Sequence, residues 1–139
     1  MKLKELTIPN HKGFVDFTIT FDNKSPITTV IGRNGVGKSN LIEIIVCIYR
    51  AIDLGESTDF SYALAYECRG HDIKIIFDVE NKLNNLVMID GEKKSFAFLK
   101  SYANEYLPLN IFTYYSGTNE RVEQLFVKHQ TRFYEALTK

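Results

Sequence analysis

Tryptophan is absent, and cysteine, methionine and proline are scarce, at two, two and three residues in a chain of 139. Two thiols, Cys47 and Cys68, without metal-ligand spacing make neither a disulfide framework nor a zinc site. They read as buried or idle thiols of a reducing compartment. Eight glycines and three prolines exclude collagen-like and low-complexity chains. Long apolar runs are missing too. The most apolar stretch, Leu41 to Ile48, is interrupted by Glu43 and is far too short to span a bilayer. The start, Met1-Lys2-Leu3-Lys4-Glu5, has no apolar run behind it, so no signal peptide and a cytoplasmic location are expected. Nor is there an excess of charge: 17 basic and 17 acidic residues leave the chain neutral, without a blanket attraction to nucleic acid or acidic membranes. The charge is uneven, however, at +3 over residues 1–38, −6 over 39–92 and +3 over 93–139. With 45% hydrophobic and 24% charged residues, the composition is that of a folded domain or part of one.

Leu3–Ile8 reads as a strand closed by Pro9-Asn10. Phe17, Ile19 and Phe21 alternate with polar residues, which predicts a second strand over 14–21. Ile27–Ile31 is short and β-branched and suits a buried strand. A glycine loop follows, then a helix from Lys38 to about Ile52. Its polar positions Asn40, Glu43, Cys47 and Arg50 form one narrow stripe, and the rest of its surface needs cover. Tyr62–Cys68 and Ile73–Val79 read as antiparallel strands joined near Arg69-Gly70. Leu86–Ile89, Asp90-Gly91 and Glu92-Lys93-Lys94 read as a hairpin with a primed turn. Phe96, Leu99, Tyr102, Ala103 and Tyr106 have helical spacing ended by Pro108. Leu109–Tyr115 is expected to be a strand. Asn119 is expected to cap a final helix with the stripe Val122, Leu125, Phe126, His129, Phe133 and Leu137.

The chemistry lies in Gly32-Arg33-Asn34-Gly35-Val36-Gly37-Lys38-Ser39, a full match to G-x-x-x-x-G-K-[ST]. A chance match has a frequency of about half a per cent over such a chain, and the expected strand-before, helix-after setting lowers it further. Glycines let the backbone turn tightly, so that N–H groups from about Gly35 to Ser39 can converge on phosphate oxygens. The helix N-terminus adds its positive dipole end. Lys38 supplies a point charge for β- and γ-phosphates, and the Ser39 hydroxyl is a ligand for Mg²⁺.

The loop alone does not choose among nucleotides. Asn81-Lys82-Leu83-Asn84 imitates the guanine-reading N-K-x-D, but Asn84 replaces its carboxylate. Two apolar runs ending in acid, Ile75-Ile76-Phe77-Asp78 and Leu86-Val87-Met88-Ile89-Asp90, imitate a Walker B strand. The first alternates like a half-exposed antiparallel strand, and Asp90 sits where a turn needs it, so both read as structural.

Three features resemble the first half of an ABC-type ATPase head of the SMC/RecF/OLD kind. The start Leu3-Lys4-Glu5-Leu6-Thr7-Ile8-Pro9-Asn10-His11-Lys12-Gly13-Phe14 is similar to the family's "L-x-x-L-x-I-x-N-F-[RK]-x-F". Gly32 to Leu41 is similar to its "G-x-N-G-x-G-K-S-N-L". Antiparallel strands follow the helix, as a side arm does. Tyr114-Tyr115-Ser116-Gly117-Thr118-Asn119-Glu120-Arg121 with Leu125-Phe126 resembles AAA-annotated bacterial ATPases found with OLD-like nucleases and phage-defence systems.

The resemblance implies an α/β P-loop NTPase lobe, with a mixed central sheet, an antiparallel β side arm and flanking helices. Residues 1–117 would be the nucleotide-binding lobe, with the P-loop at 32–39 and the arm at about 60–95. Residues 118–139 would be the first helix of an incomplete helical lobe. It also implies ATP and Mg²⁺ as cofactors. Asn34, Gly35, Val36, Gly37, Lys38, Ser39 and Asn40 would hold nucleotide, with Lys38 catalytic and Ser39 on the metal. His11 and Lys12 match a strand-end position near nucleotide. No Gln follows the strand 109–115 where a Q-loop belongs; Tyr115-Ser116-Gly117 stands there. Walker B and the signature segment would lie further on, so the length reads as a cut.

Two functions follow as expectations. In one, the chain is the ATP-binding part of an ABC-type ATPase whose heads dimerise around ATP, as a homodimer or with a companion chain. That ATPase would drive a DNA-processing or anti-phage effector, and this chain alone would be deficient in hydrolysis. In the other, it is a non-enzymatic nucleotide-binding or interaction module; a GTPase or small-molecule kinase is the third choice. DNA contact is implied by the resemblance only.

Overall fold

The structure, a computed structural model, describes residues 1–22, 24, 25, 27–33, 35, 37–111 and 127. Strand β1 (Lys2–His11) turns back into β2 (Phe14–Thr20), and helix α1 (Lys38–Leu54) follows the glycine-rich segment. Strands β3 (Tyr62–Cys68), β4 (His71–Phe77), β5 (Leu86–Ile89) and β6 (Glu92–Lys94) follow, then two short helices, α2 (Phe96–Ser101) and α3 (Ala103–Tyr106).

The described strands form one six-stranded sheet in the order β2-β1-β3-β4-β5-β6, antiparallel throughout. Three of its hairpins use the same device. Lys12-Gly13, Arg69-Gly70 and Asp90-Gly91 each hold two successive residues at positive φ, the backbone of a type I′ turn, whose twist matches the flanking strands. β1 runs through Pro9 to His11. Its ladder with β2 passes from Ile8↔Phe17 to Asn10↔Val15, skipping Pro9, which has no N–H to donate, and Asp16, at φ 46.

One face of the sheet is the core. Ile19, Leu6, Leu64, Ile75 and Val87 stand in register across five strands, and Tyr66, Ile73 and Ile89 form a second row. Helix α1 covers this face with Leu41, Ile44, Ile48, Tyr49 and Ile52, and α2 adds Leu99. The Tyr49 and Tyr66 rings meet edge-on at 5.5 Å. Burial pushes both phenol pKa values up, and Tyr66 donates to the Tyr106 carbonyl at 3.1 Å. Gly55 ends α1 at φ 68, with its N–H on the Ala51 and Ile52 carbonyls. Cys68 is buried and Cys47 half-buried, and both are free thiols.

Five expectations need correction. The strands expected as a side arm are continuous with β1 and β2, because β1 pairs on both of its edges; among the described residues there is no parallel pair and no separate central sheet. Ile27–Ile31 is not a strand, and Ile27 and Ile31 stand 75% and 90% exposed. β-Branched residues fit a pleated surface only where a neighbouring strand supplies it, and no described strand pairs there. The helix expected across 96–106 is two, because Tyr102 leaves helical angles (φ −110, ψ 33) and its carbonyl starts a new turn by accepting from Glu105 and Tyr106. Glu43 does not belong to an open polar stripe but is buried, while Ile42 is exposed. The expected strand 109–115 is absent over 109–111 and otherwise lies outside the described residues, as do the helix after Asn119 (Val127 apart) and the Tyr114–Arg121 segment.

Ile44 is fully buried under the sheet rows, so Ile44→Ala should lower unfolding free energy by about 2–5 kcal/mol in urea titrations. Val15→Ala, on the exposed side of β2, should change it by less than about 0.5 kcal/mol.

Candidate phosphate-binding site

The phosphate loop enters α1 through Gly37, whose φ of 96 and ψ of 10 are left-handed. No side chain caps this N-terminus, and the first intrahelical bond runs from Leu41 N–H to the Gly37 carbonyl at 2.9 Å. The amides of Lys38, Ser39 and Asn40 therefore lie ahead of the helical ladder, as donors for an anion. Gly35 has φ 87 and open space where a Cβ would stand. Gly37 differs, because a Cβ there would meet the Phe14 ring at 3.0 Å. The left-handed backbone angle favours glycine at 37, and a Cβ there would also press the tip of the Phe14 ring by a few tenths of an ångström.

Lys38 turns back across the loop. Its Nζ donates to the Gly32 carbonyl at 2.5 Å and the Arg33 carbonyl at 2.8 Å. An ammonium held by two carbonyls is satisfied but not charge-neutralised, so a phosphate oxygen is a better partner. The Ser39 side chain is exposed at the start of α1. These groups suit a phosphate with a magnesium ion beside Ser39. Among the described residues no cluster of three His, Cys, Asp or Glu side chains could hold a metal by itself. Asn34 and Val36 lie outside the described residues.

The β1–β2 turn docks against this helix start. Lys12, at φ 48, sends its amine to the Glu43 carboxylate at 2.5 Å, and its carbonyl accepts from the Asn40 side-chain Nδ2 at 3.1 Å. His11 stacks on Phe60 at 4.1 Å between centroids, with planes 21° apart. Burial lowers the His11 pKa below the ordinary histidine value, with Asp59 opposing in part. Of the expected nucleotide residues, Lys12, Gly37 and Asn40 are thus brought together around one turn, and His11 beside them faces Phe60. Glu43, Phe14 and Phe60 pack around that turn. An acid set among apolar helix positions is the signal that marks Glu43, and Phe14 closes the opening motif; Phe60 carries no signal.

The imitation motifs have other employment. Asp78 accepts from the Glu80 and Asn81 amides at 3.0 Å each and from the Asn84 side chain at 2.7 Å, bonds that hold its pKa down. Asn81 accepts from Leu83 N–H at 3.1 Å, which makes the N-K-L-N stretch a self-bonded loop. Asp90 takes the Asp72 amide at 2.9 Å and the His71 ring at 2.6 Å, the latter lowering its pKa most.

Residues 1–135 match the family model described as AAA ATPase domain, and the chain belongs to that family. Over 101 residues it is 33% identical to a DNA double-strand break repair Rad50 ATPase of Archaeoglobus fulgidus. The match takes in 66% of this chain and 11% of that protein, so the chain spans about a tenth of its relative's length. Among the described residues no helix is long and apolar enough to cross a membrane.

The stacked His11 makes stability depend on pH. Its folded pKa is depressed, so the unfolded chain binds more protons near the ordinary value of about 6.5. This contribution is complete above that value and is lost as pH falls through the folded pKa. In thermal melts between about pH 7 and 5, His11→Phe, which keeps the stack, should lose less stability than the parent chain.

Proposed function

We propose that the chain binds MgATP through Gly35, Gly37, Lys38 and Ser39, with Asn34 and Val36 completing the loop, as the nucleotide-binding part of an SMC/Rad50-like ABC-type ATPase. The observation that carries this is the uncapped N-terminus of α1 facing a lysine parked on its own loop carbonyls. Three helical amides, a lysine charge and two left-handed glycines lie together there, which suits a chain of phosphates. When nucleotide enters, the Lys38 amine would exchange carbonyls for β- and γ-phosphate oxygens. Ser39 would hold the magnesium ion, which supplies charge neutralisation to the bridging phosphates.

Phosphate binding and hydrolysis are separate demands. Asp78 and Asp90 are committed to loop and turn bonds, so neither is offered as the acid beside the metal. In the proposed enzyme a carboxylate and a signature segment come from outside the described residues, and two ATP-bearing heads close on each other. That closure would drive DNA processing or a defence effector. Residues 1–117 and 118–139 would be the lobe and the start of a helical lobe. The fold-level reading, an ABC-ATPase-like lobe, rests on family membership and the loop, since the antiparallel sheet alone does not distinguish it.

Isothermal titration with MgATP should give saturable one-site binding that Lys38→Ala weakens at least about tenfold, or about 1.4 kcal/mol. Ser39→Ala should remove most of the magnesium dependence of that affinity. Equal affinity in the parent and Lys38→Ala would refute the phosphate site. Far tighter binding of MgGTP would refute the choice of nucleotide.

A further inference from the structure

Glu43 is an odd residue for its place. It is 7% exposed on a helix otherwise packed with Leu41, Ile44 and Ile48, and it follows Lys38 by five residues. At 1.5 Å per residue the carboxylate's backbone is about 7 Å along α1 from the phosphate-binding end. A negative charge so close to a triphosphate site opposes binding. At an effective dielectric of about 20–40 and roughly 10 Å, one such charge is enough for about a tenfold loss of affinity.

Lys12 answers that charge. Its amine is 2.5 Å from Glu43 Oε1, its carbonyl holds the Asn40 side chain, and two residues on, Phe14 lies under Gly37. The positive φ of Lys12 is set by the type I′ turn, so the side chain is aimed at the helix by the backbone. We propose that Lys12 and Glu43 form a charge-compensating latch, in which Lys12 supports nucleotide binding by neutralising Glu43 and pinning the β1–β2 turn to α1, not by touching the nucleotide. Glu43 and Lys12 are positioning residues in this account. The proposal rests on the phosphate-site reading above.

The expected numbers separate this latch from a direct phosphate contact. Lys12→Met keeps the aliphatic stem and removes the charge; it should lower the melting temperature and weaken binding of a fluorescent MgATP analogue about tenfold. Adding Glu43→Gln to that variant should restore affinity to within about threefold of the parent. Glu43→Gln alone should bind as tightly as the parent, or up to about threefold more tightly. A double variant as weak as Lys12→Met would show that Lys12 meets the phosphates itself and would overturn the latch. So would a loss of more than about threefold in Glu43→Gln, a result readable even if Lys12→Met does not fold. Lys38→Ala in the same assay distinguishes the two failures. Full affinity there refutes the phosphate site, and the latch with it as a nucleotide device. Lys38-dependent binding without rescue refutes the latch alone.

Discussion

The contact between the apolar face of α1 and the rows of side chains crossing the sheet fixes where the glycine at the helix start can be. Leu41, Ile44, Ile48, Tyr49 and Ile52 have one surface to cover, and covering it leaves the helix little freedom to slide. With the helix placed, Gly37 falls over Phe14 and Asn40 falls beside the Lys12 carbonyl. Gly37 and the helix start are therefore held between a core that decides the position of α1 and a hairpin turn whose shape is decided by Lys12-Gly13.

That arrangement brings opposed electrostatic demands to one helix. In the proposed function its first turn attracts anions, while its second carries a buried carboxylate. Burying a charge is tolerable only with a partner, and truncating the partner is costlier than never having had the pair. The ion pair thus links the integrity of the core to the charge presented at the site.

Much of this is written locally in the residues. The phosphate loop, α1, the alternation of β2, β3 and β4, and the Asp90-Gly91 turn follow from spacing and turn chemistry, which act within a few residues. What is not legible depends on distant partners. Pro9 looks like a strand end, yet the strand continues because the ladder skips one pair there. Ile27–Ile31 has strand composition and no neighbour among the described strands. Glu43 finds Lys12 across 31 residues, and His11 finds Phe60 across the whole of α1. That the described strands join one antiparallel sheet, with β1 paired on both edges, is also a matter of long-range pairing, which composition does not record. At the site, the glycines and Lys38 announce themselves, while the residues that hold them in place do not.

The most direct test is an amide chemical-shift titration of the ¹⁵N-labelled chain with MgATP. The account predicts saturable shifts largest at Gly35, Gly37, Lys38 and Ser39, with a second group at Lys12 and Gly13 where the turn abuts the helix. Shifts confined to other parts of the sheet, or none at saturating nucleotide, would contradict it.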